Sequence, residues 1–157
     1  MDVIDVNGDE FTVRRATAED VTSLVALLRD DVLGAGRENA DSSAYERAFQ
    51  AIDQDPNQFL AVVRDAYGAL AGTMQLTLIP GLSRGGATRL QIEAVRLAST
   101  ARGTGLGSRL FDWAHDFGRR NGATLAQLTT DKTRVDARRF YDRLGYTATH
   151  EGLKLAL

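Results

Sequence analysis

The sequence predicts an α/β domain built on a mixed, mostly antiparallel sheet with helices on its faces. Three observations predict it. Strand-like alternation flanks Asn7-Gly8, and Asn-Gly is a strong hairpin turn signal. "FLAVVRD" and "ALAGTMQLTLI" are rich in β-formers and separated only by "AYG", which reads as a second antiparallel hairpin. The glycine-dense "ARGTGLGSRL" (residues 101–110) stands between the strand "RLQIEAVRL" and an amphipathic helix. The strands on either side of that helix need a crossover and therefore run parallel.

Taken in order, Phe11 to Arg15 forms a strand, with Val3 to Val6 as its hairpin partner. Thr17 precedes Asp20 and Val21 as in a capping box with Asp in place of Glu. Val21, Leu24, Val25, Leu28 and Val32 recur at helical spacing. "LGAGRENADSS" is a loop, and a second helix covers roughly residues 44–54, stopping before Pro56. The hairpin follows, then the loop "PGLSRGGAT" and the strand at 89–97. Leu106, Leu110, Trp113, Ala114 and Phe117 mark one face of a helix that ends near Asn121-Gly122. "TLAQLTT" is a strand. Ala137, Phe140, Tyr141 and Leu144 mark a last helix closed by Gly145, and "YTATHEGLKLAL" reads as one or two terminal strands.

Bulk properties narrow the function classes. The 157 residues suit one domain with a full core. A net charge of -2 and the absence of a Lys/Arg-rich run argue against nucleic acid. Without cysteine there are no disulfides, thiol nucleophiles or thiolate metal sites, and two histidines give little support for a metal. "MDVIDVNGDE" lacks the basic and apolar regions of a signal peptide, and no apolar run nears the roughly 20 residues a membrane span needs. The expected location is cytoplasmic.

Glycines between a strand and a helix start place backbone N–H groups and the helix dipole together, which favours an anion. No GxxxxGK[ST] phosphate loop is present. A dinucleotide fingerprint fits poorly: Gly103 and Gly105 match, but Ser108 takes the third place and too little chain follows for a doubly wound sheet.

A third pattern fits better. Arg102-Gly103-Thr104-Gly105-Leu106-Gly107 matches the signature Gln/Arg-x-x-Gly-x-Gly/Ala. With "IEAVRL" before it and "RRFYDRLGY" after it, the chain from Arg89 to Leu157 resembles the GNAT superfamily of acetyl-CoA-dependent N-acetyltransferases. The resemblance implies a single acetyltransferase domain over residues 1–157, with a parallel strand pair splayed at an acetyl-CoA cleft. It implies that backbone amides from Arg102 through Leu106 to Ser108 wrap the pyrophosphate of coenzyme A. The pantetheine arm would lie along the strand of Val95 and Leu97. Relatives often carry asparagine where Arg134 stands. Arginine accepts no hydrogen bond, so Arg134 would instead meet a phosphate or an acidic group of the substrate.

Acetyl transfer to an amine poses two proton problems. An alkylammonium with a pKa near about 10.4 must lose a proton, and the departing thiolate gains from a donor. Glu93, a carboxylate in a mostly apolar strand, is the expected base and is expected to be partly buried; the competing reading pairs it with Arg89 or Arg96. Gln91, two residues away on the same face, could help hold a water. Tyr141 in "FYDRLGY" is implied as the acid, against the reading of a core tyrosine beside Phe140. Arg37, Gln75 and His150 are the acceptor-side candidates. The implied function is acetyl transfer from acetyl-CoA, without a metal, to the primary amine of a small molecule, by direct transfer in a ternary complex. The segment "TTDKTRVDARRFYDRLGY" resembles aminoalkylphosphonate N-acetyltransferases. Protein lysine or N-terminal acetylation and a non-catalytic acyl-CoA-binding sensor stay open, as does a homodimer.

Overall fold

Asn7 and Gly8 both take positive φ, 56° and 96°, as a two-residue hairpin turn matched to strand twist requires. They join β1 (Asp2–Val6) to β2 (Asp9–Arg15), with Val6 opposite Asp9. The computed structural model describes residues 1–30, 36, 38 and 41–157; Val32, expected in the first helix, and Arg37, expected near the acceptor, lie outside them. The chain falls into two compact units, Met1–Gln127 and Leu128–Leu157.

In the first unit, β3 (Gln58–Asp65) and β4 (Leu70–Pro80) form the second hairpin, followed by β5 (Thr88–Leu97) and β6 (Ala123–Gln127). The six strands lie in sequence order, antiparallel except for the parallel pair β5–β6. The helices are α1 (Val21–Arg29), α2 (Ser42–Gln54), the single turn α3 (Ser83–Gly86) and α4 (Leu106–Arg120). α2 starts two residues earlier than expected. The Asp41 carboxylate accepts the N–H groups of Ser43 and Ala44 at 2.6 and 3.3 Å and so caps the first turn. At the start of α1, Asp20 accepts from the Thr17 N–H at 2.9 Å, the half of a capping box that reaches back to the N-cap.

α4 holds its place by its apolar face. Leu106, Leu110, Phe111 and Ala114 are fully buried, as are Met74, Leu76, Leu90 and Ile92 of the sheet. The Phe59 ring meets Trp113 and Phe117 at 5.7 and 5.1 Å. A Cβ on Gly118 would stand 2.9 Å from Leu90 Cδ2, so only glycine lets the helix lie this close to β5. Each large buried side chain contributes about 1.5–3 kcal/mol, which fixes where the N-terminus of α4 emerges. On the other face of the sheet, Ala16, Leu24, Phe49 and Val62 form a second cluster with Val21 and Leu60.

The second unit contains α5 (Val135–Arg143), which ends before Gly145 at φ 88°. The terminal strands expected in "YTATHEGLKLAL" do not form. A strand exists by pairing, and among its described residues this unit holds no other strand.

Candidate functional site

The site is organised by an irregularity in β5. Gln75 pairs with Glu93, but Thr73 pairs with Arg96, so Ala94 and Val95 together oppose Met74. This is a β-bulge, which bends the strand and leaves one residue outside the ladder. Ala94 takes φ 50° there, a left-handed conformation that costs a non-glycine residue about 1–2 kcal/mol. The bulge also reverses the strand's phase. Gln91 and Glu93 share one face with Gln75 and Thr77, while Leu97, opposite Gly72, and Val95 lie on the other. Glu93 is exposed, not partly buried as expected: it pairs with Gln75 on one side, but β6 ends opposite Gln91 and gives it no strand neighbour on the other among the described residues.

The parallel pairing of β5 with β6 runs from Thr88 to Gln91 and stops at Gln127. From Ile92 onward β5 has a strand partner only on its β4 side among the described residues. This open edge leads to the glycine stretch. Gly103 and Gly105 take φ 77° and 100°. A Cβ on Gly103 would meet nothing within 4 Å, and one on Gly105 only Val6 Cγ1 at 3.5 Å. From Arg102 to Ser108, three amides are used internally: Arg102 N–H donates to Ser99 O, Leu106 N–H to Thr104 Oγ1 and Ser108 N–H to Gly105 O. The N–H groups of Gly103, Thr104, Gly105 and Gly107 have no acceptor among the described residues. Four donors at the start of a 15-residue helix, with open space before Gly103, can hold an anion.

The other expected residues divide. Arg102 is turned to its own chain: it donates to Leu97 O at 3.1 Å and to Asp30 O and Oδ2 at 3.1 and 3.3 Å. It ties the glycine stretch to the end of α1. Leu106 buries its side chain completely and offers the site no group. Gln75 is half-buried and donates to Gln58 Oε1 at 3.0 Å. In the second unit, half-buried Arg134 is the N-cap of α5. Tyr141 is half-buried, its ring 5.5 Å from Phe140 and 6.1 Å from Tyr146. Burial, and then neighbouring Tyr141, push the Tyr146 phenol up to about 12. His150 is exposed, with Nδ1 2.8 Å from Thr149 Oγ1. His115, which helical spacing places on an exposed face, is half-buried beside a cavity of about 130 Å³. Desolvation holds its pKa below the ordinary histidine value.

Sequence reasoning missed the polar neighbours of Gln75 and Gln91. Thr77 Oγ1 donates to Gln58 Oε1 at 2.8 Å, and Gln127 Nε2 to Gln91 Oε1 at 2.7 Å. Arg89 Nη1 lies 3.5 Å from Gln127 Oε1. The available signal was polar residues at alternate positions of otherwise apolar strands, as in "MQLTL" and "RLQIE". Among the described residues no group of three or more His, Asp or Glu could hold a metal ion, and no helix is long and apolar enough to cross a membrane.

A mixed sheet with a bulged penultimate strand, a parallel pair that parts beyond Gln91 and a glycine-lined helix start are the features of an acyltransferase fold. The acetyltransferase (GNAT) family pattern matches residues 17–146, and the chain belongs to that family. It is an acyltransferase. The aminoalkylphosphonate N-acetyltransferase of Salmonella typhimurium is 32% identical over 139 residues, covering 88% of this chain and 86% of that protein. The streptothricin acetyltransferase of Streptomyces lavendulae is 31% identical over 143 residues, covering 91% of this chain and 66% of that protein. A crystal structure from Bacillus halodurans, described as a transcriptional regulator, has a TM-score of 0.88 and 44% identity. That match covers 94% of this chain and 99% of the other.

Proposed function

We propose that this chain is an N-acetyltransferase that uses acetyl-CoA and moves the acetyl group directly to the primary amine of a small molecule within a ternary complex. The observation that carries the reading is the row of free amides at Gly103, Thr104, Gly105 and Gly107, beside the open edge of β5. These residues fit a diphosphate: small, at a helix start, with open space in front of Gly103. Val95 and Leu97 give the thioester arm an apolar strand to lie along, and acetyl-CoA supplies the activated acyl group.

Glu93 accepts the ammonium proton, directly or through a water. Tyr141 donates a proton to the departing thiolate. One C–N bond forms as one C–S bond breaks, and each proton transfer contributes about 10²–10⁴-fold. Arg134 takes a phosphate of the donor or an acidic group of the acceptor; His150, Gln75 and Arg37 serve the acceptor side. Residues 1–157 act as one acetyltransferase domain, in the cytoplasm. The two acetyltransferase relatives, named for small molecules, support a small-molecule acceptor. The likeness to a chain described as a transcriptional regulator favours one other reading, an acyl-CoA-binding sensor without turnover.

The deciding experiment is release of free thiol from acetyl-CoA against a broad panel of amines, with lysine peptides alongside. Amine-dependent release supports the enzyme. Coenzyme A binding without release against any acceptor supports the sensor.

A further inference from the structure

Arg89, Gln91 and Glu93 alternate along β5 and share one face of the sheet, opposite Ile79, Thr77 and Gln75 of β4. On the β6 side, Gln91 stands opposite Gln127 and Arg89 opposite Leu125. The hydrogen bonds on this face have a direction that the chemistry of arginine sets. A guanidinium only donates, so Gln127 turns its Oε1 towards Arg89 Nη1, at 3.5 Å. Its Nε2 is then the group that donates to Gln91 Oε1, at 2.7 Å. Gln91 is left with its NH₂ group and no acceptor for it among the described residues. The remaining N–H groups of Arg89 are in the same position. Arg89 is half-buried, yet makes no ion pair among the described residues, whereas Arg14, Arg64 and Arg102 each meet an aspartate. The face therefore carries donors and a positive charge at Arg89 and Gln91, a carboxylate at Glu93 and, past the bulge, a second guanidinium at Arg96 opposite Thr73.

We infer that the stretch from Arg89 to Glu93 selects the acceptor: a primary amine that also carries an anionic or carbonyl oxygen several bonds from its nitrogen, with Glu93 facing the ammonium and Gln91 and Arg89 reading the oxygen. The inference rests on the acetyltransferase reading above. Same-face residues on a strand repeat about every 6.6 Å, so Gln91 and Arg89 stand about 7 and 13 Å from Glu93 along the strand. Linear ω-amino acids with about three to five methylenes span roughly 5–8 Å from nitrogen to carboxylate, which brings the carboxylate to the level of Gln91 and within the reach of the long Arg89 side chain. Arg89 and Gln91 are specificity residues; neither takes part in proton transfer.

The test compares kcat/KM for ω-amino acids from glycine to 6-aminohexanoate with n-alkylamines of matched length, using saturating acetyl-CoA. In the wild type, kcat/KM rises with length and exceeds that of the matched alkylamine by about tenfold or more at the optimum, the size expected of one charge-assisted contact. Arg89→Gln lowers the ratio of amino acid to alkylamine by about the same factor. Arg89→Glu inverts the preference towards α,ω-diamines, an outcome that damage to the fold would not produce. Turnover of both series with no preference in the wild type, or an unchanged ratio in both variants, overturns this inference alone. No turnover of any amine by a protein that still binds coenzyme A overturns the acetyltransferase reading and this inference with it.

Discussion

Gly103→Ala separates the cost of backbone geometry from the loss of the proposed diphosphate. At φ 77° an alanine is strained, by about 1–2 kcal/mol. Its methyl group meets no protein atom within 4 Å, so no internal clash is added. The expected effect on the fold is therefore confined to strain: a fall in Tm of about 2–8 °C for a chain of this size. The effect on ligand binding is separate. The methyl projects into the space before the amides of Gly103, Thr104 and Gly105, and displaces one or two hydrogen bonds to a charged ligand. At about 1.5–3 kcal/mol each, their loss weakens coenzyme A binding by about 10–100-fold or more. Isothermal titration with coenzyme A measures the affinity and calorimetric melting measures the strain, on the same samples. A variant that melts a few degrees lower but binds coenzyme A within twofold of wild type refutes the assignment of this stretch to the diphosphate.

Three further outcomes are expected. Tyr141→Phe keeps the ring against Phe140 and Tyr146 and lowers kcat by about 10–10³-fold with acetyl-CoA affinity little changed; an unchanged kcat under rate-limiting chemistry leaves Tyr141 as a packing residue. Glu93→Gln loses most activity near pH 7, and the loss shrinks as pH approaches the amine's own pKa, because solution then supplies the neutral nucleophile; kcat/KM profiles from about pH 6 to pH 10 that stay parallel contradict the base role. Asp20→Ala strips the buried carboxylate that holds Arg14 at 2.7 Å and Arg64 at 2.9 Å. Breaking a buried pair costs about 3–5 kcal/mol, reduced here to about 2–4 because both arginines are partly solvated. Arg14, burial notwithstanding, holds the Asp20 carboxyl well below the usual carboxylate range. Its contribution is complete above the unfolded pKa and is lost as pH falls through the folded one. The stability gap in urea, followed by the fluorescence of Trp113, the single tryptophan, should therefore narrow between about pH 5 and pH 2; a constant gap contradicts the ion-pair account.

How far the sequence could be read depended on whether the signal was local. Asn7-Gly8 announced the first hairpin because a two-residue turn needs two positive φ angles, which those residues accept most readily. The apolar stripe of α4 was visible because a helix buries every third or fourth residue, and the glycine stretch because positive φ at Gly103 and Gly105 favours glycine. Element boundaries missed by two residues at α2, where Asp41 supplied the cap. The exposure of Glu93 was not legible. It depends on β6 ending opposite Gln91, and the bulge beside it has no local marker either, since the left-handed residue is Ala94 and not a glycine.

By itself, then, the amino-acid order determined the number and kind of most elements, the alternation that makes each strand two-faced, and the place where glycines open a helix start. These follow from φ preferences and side-chain periodicity within a few residues. Only the tertiary structure decided which of those faces meet. Arg89 and Gln127 are 38 positions apart, and Arg102 reaches Asp30 across 72. It also decided which amides of the glycine stretch remain unused and that residues 146–157 find no strand to pair with in their own unit. Register, bulge position and hydrogen-bond direction depend on partners brought together by burial of α4 on one side of the sheet and α1 and α2 on the other. No window of neighbouring residues contains that information.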